Sequence, residues 1–358
     1  MNIQTDPLKV KVKEKQFSPR IAIYGIGFVG SRLTRLIVDK GWDIVAAYNR
    51  AGEKVGKDLG RLVGLEKELG VIVQDYKTAD YSNIDADVAL IAGPDFLDQA
   101  FPIYEPFLKA GINVISYGSH TYDPYIFHPD IAEKIDGLAK QNGVTFTGSG
   151  LWDMTRIWSG LIAAGPCVKI DSFEYQSITD PARQGVHWFP IVGIGLTVEE
   201  YNEKMAGEVD GLSSNENSWN GVYKPLGLII LKYYGYTPTG VRMWQEPFTF
   251  DEPVYCKVIE KEIPAGICVG TRLRIETESE EGVPVHTTID LRLFKPGEIE
   301  HSTWRVNGLP SMEVRVVRED SDIAQASSAL NRIPDVLAAR PGIVNIMELG
   351  PLRPSVLL

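Results

Sequence analysis

A glycine-rich hexapeptide, GIGFVG at residues 25–30, is the first feature whose spacing points to a chemistry. It follows a short apolar run and opens a segment of helical periodicity, which is the context that the dinucleotide-binding pattern GxGxxG requires. Gly25 permits a tight turn, Gly27 lets the backbone approach a pyrophosphate, and Gly30 lets the helix pack on the strand. We expect cofactor contacts from Gly25, Gly27, Phe28, Val29 and Gly30. The alternative is a plain strand-to-helix turn without a ligand.

Asn49 and Arg50 occupy the position, about 20 residues further on, that selects between the two nicotinamide dinucleotides. An NAD site usually has a carboxylate there for the ribose hydroxyls. This chain has none at the position, and Arg50 offers a fork of donors for a 2′-phosphate. The sequence therefore predicts NADP as the preferred cofactor with NAD possible, unless Arg50 is only a solvated loop residue.

Small residues at the ends of the strands predicted at 87–92 and 112–116 are further candidates for cofactor binding. In an open parallel sheet, ligands bind beyond the carboxyl ends of the strands. Those ends carry Gly93 and Pro94 after one strand, and Ser116 and Gly118 after the next. We expect these four residues to border the nicotinamide. Ordinary loop chemistry is the alternative.

A hydride transfer also needs a group that gives or takes a proton. His120 suits this task because its ordinary pKa lies near neutrality. Ser119 could hold a carbonyl or hydroxyl group, and Asp153 could orient His120, act as the base, pair with an ammonium group or cap the following helix. Trp152 could form a flat wall of the substrate pocket, and His187 belongs to a loop that could close over it. Each of these residues could equally have a structural role.

Apolar strands alternate with amphipathic helices up to about residue 150, which predicts a parallel, doubly wound sheet of the Rossmann type. The predicted strands are residues 20–24, 43–48, 71–73, 87–92, 112–116 and 144–147. The predicted helices are residues 28–40, 98–110 and 129–140.

After residue 150 the pattern changes to that of an α+β domain with a largely antiparallel sheet. A strand near residues 168–175 and helices near 197–206 and 217–234 precede residues 253–317, which resemble an antiparallel meander. A last helix is predicted at 321–339. We expect an N-terminal arm at 1–17, a dinucleotide-binding domain at 18–150, a substrate and dimerisation domain at 151–320, and a C-terminal helix and tail at 321–358 that return to the first domain.

Composition excludes several classes of function. With 36 basic and 47 acidic side chains the formal charge is −11, which argues against nucleic acid and anionic membranes as partners. No apolar run reaches the length of a membrane span, and the N-terminal segment lacks the apolar stretch of a secretory signal. The scattered cysteines are Cys167, Cys256 and Cys268, which fits a reducing cytoplasm. The spacing of the histidines predicts no catalytic metal.

The chain resembles the dihydrodipicolinate-reductase-like oxidoreductases, most closely their 2,4-diaminopentanoate dehydrogenase and native amine dehydrogenase branch. The resemblance covers nearly the whole chain and rests on the order and spacing of several short segments. These are IYGIGFVGSRL (residues 23–33), KVGKDLG (54–60), AGINVIS (110–116), GSG (148–150), WRVNGLP (304–310), LNRIP (330–334) and ARPG (339–342). It implies a Rossmann domain, a homodimer and reversible hydride transfer between NAD(P) and an amine or imine carbon.

The chain departs from this family where substrate is expected. Ser119-His120 stands where the amine dehydrogenases have a catalytic Glu–Glu pair, and Leu151-Trp152-Asp153 stands where they tend to have Asn-Pro-Gly. We therefore predict an NAD(P)-dependent oxidoreductase that acts on a small carbonyl, alcohol, imine or amine in an interdomain cleft. The alternatives are an amine dehydrogenase with a relocated acid–base group, or an NADP(H)-binding sensor without catalysis.

Overall fold

The first sheet is parallel and has seven strands. The structure is a computed structural model that describes residues 17–205, 207–210 and 219–355; the predicted N-terminal arm lies almost entirely outside them. Numbered along the chain, the strands are β1 Arg20–Tyr24, β2 Asp43–Asn49, β3 Val73–Asp75, β4 Val88–Ile91, β5 Asn113–Ser116, β6 Thr145–Gly148 and β16 Gly342–Ile343. Their order is β16-β6-β5-β4-β1-β2-β3. The direction of winding changes between β1 and β4, where such sheets bind ligands.

Helices cover both faces of this sheet, as the sequence predicts. They are α1 Phe28–Asp39, α2 Leu59–Leu62, α3 Leu97–Lys109, α4 Pro129–Gln141 and α8 Ser321–Ala338. The late helix α8 packs beside α1, because Leu330 and Ile333 share a buried cluster with Leu33 and Ile37. The last helix of the described residues is α9 Ile346–Leu349, which is one turn long. The Rossmann-type fold is therefore confirmed.

The second sheet also has seven strands, in the order β15-β14-β7-β13-β12-β9-β8. The strands are β7 Lys169–Thr179, β8 Glu208–Asp210, β9 Pro238–Thr249, β12 Cys268–Ser279, β13 Val285–Arg292, β14 Glu300–Leu309 and β15 Met312–Arg318. A separate hairpin is formed by β10 Val254–Cys256 and β11 Lys261–Ile263.

The predicted meander over residues 253–317 is wrong in its pairing. Strand β7 lies between β14 and β13 and runs parallel to β13, so β13 and β14 are not neighbours. Strand β9 was not predicted, and the first predicted strand of the meander forms the separate hairpin. Alternating polarity identifies a strand and its buried face, whereas its neighbours depend on the path of the whole chain.

Three short helices and one turn of π-helix cover the buried face of the second sheet. They are the π-helix Asp153–Trp158, α5 Ser159–Ala164, α6 Val198–Lys204 and α7 Pro225–Tyr233. In place of the predicted helix at 217–234, the described residues form a one-turn helix, Trp219–Tyr223, followed by α7, which begins at Pro225. In the described part of the chain, no helix is long and apolar enough to span a membrane.

Candidate functional site

The glycine turn between β1 and α1 is shaped by steric contacts. Gly25 has φ +88°, and a Cβ atom there would lie 2.0 Å from the carbonyl oxygen of Ala92. A Cβ atom on Gly30 would lie 1.9 Å from the carbonyl oxygen of Gly25. A Cβ atom on Gly27 would meet nothing within 4 Å, so the space over the amino end of α1 is open. This open backbone fits the pyrophosphate of a dinucleotide.

Asn49 and two basic residues lie beside this turn. The Asn49 amide oxygen accepts a hydrogen bond from the Ile26 N–H at 3.2 Å, and the Lys54 ammonium group donates to the Ile26 carbonyl oxygen. Arg50 is exposed, and its charge opposes the rise in the pKa of Tyr24 that burial causes. The end of β2 therefore presents positive charge next to the cofactor turn.

The loops after β4 and β5 pack closely, backbone against backbone. A Cβ atom on Gly118 would lie 3.0 Å from the carbonyl oxygens of both Pro94 and Asp95, and one on Gly93 would lie 3.3 Å from the ring of Tyr24. The Ser116 hydroxyl is buried and shares a 2.7 Å hydrogen bond with the Tyr104 hydroxyl. The side chain of Ser116 thus supports the loop, and the position of Ser116 at the border of the nicotinamide stays a prediction.

Asp95 is a carboxylate that the predicted site did not include. The Ser119 N–H donates to its Oδ1 at 3.1 Å, and the His120 N–H donates to its main-chain oxygen at 3.4 Å. Its side chain remains accessible to solvent. The surrounding protein raises the pKa of Asp95, while the Ser119 amide and the Arg156 charge oppose this rise. Its position at the carboxyl end of β4 was the signal that the sequence offered.

His120 lies in a box of aromatic rings. Its ring stacks on Phe127 at 4.7 Å and meets Phe96 edge-on at 5.0 Å. Burial, and after it the charge of His128, lower the pKa of His120 to about 4. The imidazole is therefore neutral at physiological pH. That corrects the expectation of a proton donor with a pKa near neutrality, and only its neutral form is available for chemistry.

Two buried polar atoms near Asp95 are without hydrogen-bond partners in the described part of the chain. They are the Ser119 hydroxyl oxygen and the Nδ1 atom of His120. Both side chains are buried. Buried polar atoms normally have partners, and a bound ligand can supply them. The role predicted for Ser119 stays a prediction that this geometry allows.

Trp152 is one layer of an aromatic stack beside the site. Its ring is parallel to those of Tyr122 at 5.7 Å and Tyr223 at 6.3 Å. The Arg156 guanidinium lies over both Trp152 and Tyr223, at 4.7 and 4.9 Å from the ring centres. Arg156 belongs to the π-helical turn, a feature frequent at functional sites. Trp152 itself is largely buried in this stack, and its role as a wall of the substrate pocket stays a prediction.

Asp153 is occupied by a buried ion pair. Its two oxygens each accept a 2.9 Å hydrogen bond from Nη2 of Arg332, and Oδ2 accepts another from the Ser149 hydroxyl at 3.0 Å. The side chains of Asp153 and Arg332 have no exposed surface. The predictions that Asp153 orients His120, acts as a base or binds an ammonium group are wrong, because its oxygens already have these partners. It does not cap the following helix either.

His187 is exposed on the one-turn helix Val186–Trp188, with its ring 6.4 Å from that of Trp188. Arg183, four residues earlier in the same loop, donates to the main-chain oxygen of Glu319, close to the start of α8. A role for His187 in substrate binding stays a prediction. The structure thus brings together Asp95, Ser119 and His120 at one end of the site, and Trp152, Tyr223 and Arg156 at the other.

Comparisons with known proteins agree with this fold. No family model matches the chain. It is 24% identical over 352 residues to 2,4-diaminopentanoate dehydrogenase of Acetoanaerobium sticklandii, covering 92% of this chain and 93% of that protein. Among solved structures, an amine dehydrogenase from Mycobacterium smegmatis has 26% identity and a TM-score of 0.78, covering 94% of this chain and 97% of that one.

A myo-inositol 2-dehydrogenase from Lactobacillus plantarum shares the fold, with a TM-score of 0.53, 15% identity and coverage of 92% of each chain. Fold, glycine turn and relatives together define an NAD(P)-dependent oxidoreductase of the dehydrogenase class. The predicted resemblance to the 2,4-diaminopentanoate and amine dehydrogenases is confirmed.

Proposed function

We propose that this enzyme transfers a hydride reversibly between NADP(H) and the imine or amine carbon of a small molecule, with Asp95 as the proton-transfer group. The single observation that carries this proposal is the accessible Asp95 carboxylate, fixed by the Ser119 N–H beside the cofactor loops. In the amine dehydrogenases that this chain resembles, the catalytic Glu–Glu pair stands where this chain has Ser119-His120. Asp95 supplies a carboxylate next to that position. The names of two similar proteins, 2,4-diaminopentanoate dehydrogenase and amine dehydrogenase, support amine chemistry.

The residues of the glycine turn fit a dinucleotide, which when bound would supply or accept the hydride. The open backbone at Gly27 and the amino end of α1 would hold its pyrophosphate. Gly93, Pro94 and Gly118 form the adjoining loops, which we propose border the nicotinamide. The stack of Trp152 and Tyr223 would exclude water from one side of the substrate.

Asp95 can hold and move a proton at its carboxylate oxygens. In the direction of amine oxidation, Oδ2 would take a proton from the substrate ammonium group, leaving the amine that reacts. In the reverse direction it would return that proton to the product. A carboxylate with a raised pKa is better matched to this task than an ordinary aspartate, because a proton-transfer group works best near the operating pH.

Replacement of Asp95 tests this role. We expect Asp95→Asn to lower kcat/KM about 100-fold or more while the dissociation constant for NADPH stays unchanged. Because the pKa of Asp95 is raised and its ionised form acts as the base, amine oxidation by the wild type should lose activity as the pH falls, beginning above the pH range in which an ordinary aspartate titrates. Steady-state reductive amination of a ketone panel with ammonia and NADPH measures the first effect, and oxidation of the corresponding amines with NADP measures the pH profile.

The matched control is Asp39→Asn, an exposed aspartate at the end of α1. Full activity of Asp95→Asn on a proven substrate would exclude Asp95 from proton transfer. Turnover without ammonia would point to carbonyl reduction instead. NADPH binding without turnover of any substrate would favour the sensor alternative.

The preference for NADP rests on Arg50 and Lys54 and on the absence of a carboxylate at Asn49-Arg50. We expect Arg50→Ala to raise KM for NADPH at least about tenfold, since a charge-assisted phosphate contact contributes roughly 1.5–3 kcal/mol. KM for NADH should change little. Arg61→Ala, an exposed arginine on α2, is the control. Equal loss with both dinucleotides would remove Arg50 from this role.

The proposal also keeps the predicted homodimer, cytoplasmic location and division into domains at residues 18–150, 151–320 and 321–358. The free state of Cys167, Cys256 and Cys268 supports a reducing compartment. The packing of α8 against α1 supports the return of the C-terminal segment to the first domain. Light scattering on the purified protein measures the oligomeric state directly.

A further inference from the structure

A cavity of about 480 Å³ lies between α4, the end of α7 and the segment that joins β16 to α9. None of the residues that line it belongs to the candidate site described above. Its charged lining residues are Asp123, Asp136, Lys140, Lys232, Arg340 and Glu348. The three acids and the three bases cancel in formal charge. The kind of ligand that fits the cavity therefore depends on which of these groups already have partners.

Two of the three acids are fully engaged by neighbouring protein groups. Oδ1 of Asp136 accepts a 2.9 Å hydrogen bond from the Ile343 N–H, and its Oδ2 lies 2.6 Å from the Lys140 ammonium group. Both carboxylate oxygens of Glu348 accept hydrogen bonds from Arg340, at 2.7 to 3.0 Å. Neither carboxylate has an oxygen without a protein partner.

Asp123 differs from these two acids in its burial and in its partners. Its side chain is only 8% exposed, and Oδ2 accepts a 2.6 Å hydrogen bond from Nζ of Lys232. In the described part of the chain, no group donates a hydrogen bond to its Oδ1. Buried carboxylate oxygens normally have partners, so this oxygen is open to a ligand in the cavity.

Lys232, the partner of Asp123, is held much less firmly than Asp123 itself. The Lys232 side chain is 49% exposed, at the last turn of α7. A half-exposed lysine gains little free energy from an ion pair and can turn into solvent at small cost. Another ammonium group can therefore replace it on the Asp123 carboxylate.

Tyr233 lines the same cavity and offers a further acceptor. Its hydroxyl is buried and has no hydrogen-bond partner among the described residues. Burial raises the pKa of Tyr233, and the charge of Asp123 raises it further, so the phenol is neutral and feels the carboxylate. An ammonium group has three N–H donors. The two oxygens of Asp123 and the hydroxyl oxygen of Tyr233 would give it three acceptors.

We propose that this cavity binds a small organic ammonium ion, held by Asp123 and Tyr233 in place of Lys232, with its apolar part against Tyr125 and Met347. The side chains of Tyr125 and Met347 line the cavity and are each 40% exposed. The ammonium site is independent of the proposed redox reaction, because no group assigned to catalysis or to the cofactor takes part in it.

Paired amines and alcohols test the ammonium site. The probes are tert-butylamine, 2-phenylpropan-2-amine and 1-adamantanamine, each with the alcohol of the same skeleton, titrated calorimetrically into the full chain near neutral pH. The amine carbon of each probe carries no hydrogen, so none can give up a hydride in the proposed reaction. We expect at least one amine to bind at least about tenfold more tightly than its alcohol, since hydrogen bonds between charged groups are the stronger ones.

Two substitutions break the same ion pair and should change amine binding in opposite directions. Asp123→Asn removes the charge that holds the ammonium group, so the amine should bind no better than its alcohol. Lys232→Gln removes the competing ammonium group and should tighten amine binding several-fold. Tyr233→Phe should weaken it several-fold. Lys134→Gln changes an exposed lysine of α4 outside the cavity and should have no effect.

Asp95→Asn separates the ammonium site from the active site, and amine binding should survive it unchanged. Binding that is lost in Asp95→Asn and kept in Asp123→Asn would place the amine in the active site and overturn the proposal. An equal loss in Asp123→Asn and Lys232→Gln, or no preference of any amine over its alcohol, would overturn it too. If the amine binds as expected but no substrate undergoes NADPH-dependent turnover, the ammonium site stands and the proposed redox function fails.

Discussion

Asp95 and His120 are neighbours in space whose surroundings shift their pKa values in opposite senses. Desolvation disfavours the charged form of each, so it raises the pKa of the carboxyl group and lowers that of the imidazole. The first change moves Asp95 toward neutral pH, and the second moves His120 away from it. Residue type alone favours the histidine as the acid–base group, whereas the environment favours the aspartate.

The neutral ring of His120 makes stability depend on pH. Its pKa is about 4 in the folded protein and roughly 6.5 in an unfolded chain. Below about pH 6.5 the unfolded state therefore binds a proton at this histidine, whereas the folded state does not. The contribution of His120 to the free energy of unfolding is therefore complete above that pH. It decreases by on the order of 3 kcal/mol as the pH falls toward 4.

We expect His120→Phe, which keeps an apolar ring in the box, to melt with a weaker pH dependence than the wild type between pH 6.5 and 4. His187→Phe changes an exposed histidine and serves as the control. Melting curves recorded by circular dichroism measure the difference. Parallel curves for His120→Phe and the wild type would show that the imidazole titrates normally in the fold.

In the turn between β1 and α1, some glycines are needed for the fold and another is needed only for a ligand. Gly25 and Gly30 are required by the fold, because side chains there would collide with main-chain atoms. Gly27 is not required by the fold, since a Cβ atom there would enter open space. Its lack of a side chain therefore matters only for a ligand over the amino end of α1.

Alanine substitutions can separate these tasks. We expect Gly27→Ala to keep the stability of the wild type but to raise the dissociation constant for NADPH at least about tenfold, or 1.4 kcal/mol. Gly25→Ala should lose about 1–3 kcal/mol of stability, since it needs φ +88° and a contact at 2.0 Å.

Calorimetric titration and urea unfolding measure the two quantities. Gly137→Ala, at an open position within α4, is the control for both. Unchanged NADPH affinity in Gly27→Ala would contradict the assignment of the pyrophosphate to this turn.

The Asp153–Arg332 pair acts at the scale of the whole molecule. Asp153 begins the π-helical turn, from which Ile157 enters the core of the second sheet, whereas Arg332 belongs to α8 on the first sheet. Arg332 also donates to Asp335 at 3.0 Å and to the main-chain oxygen of Gly350 at 2.9 Å. The pair therefore joins the C-terminal segment to the point where the chain passes from one sheet to the other.

Breaking this pair should destabilise the fold without acting on the chemistry. We expect Asp153→Asn to lose about 3–5 kcal/mol, because it leaves the Arg332 charge buried without its main partner. The double variant Asp153→Leu with Arg332→Met should lose less than the sum of the single changes. Urea unfolding measures both, and kcat of the folded fraction should stay near that of the wild type. Native stability with lost turnover would instead restore a catalytic role to Asp153.

Local features of the sequence determined the elements and the cofactor turn. Strand β1 is predicted at its observed bounds, and α8 within one residue, because periodicity and helix-ending residues act over a few neighbours. The glycine spacing likewise determines the turn through contacts between nearby main-chain atoms.

Only the tertiary structure decided which groups meet. Asp153 was a plausible base until its oxygens met Arg332, which is 179 residues away in sequence. Asp95 follows β4 and Arg156 belongs to the π-helical turn, and nothing in the spacing of the two residues indicates that the charge of Arg156 acts on Asp95. Pairing across such distances, like the insertion of β7 between β13 and β14, depends on the path of the whole chain. Burial in the folded protein then shifts the pKa of each titratable group and so determines its charge.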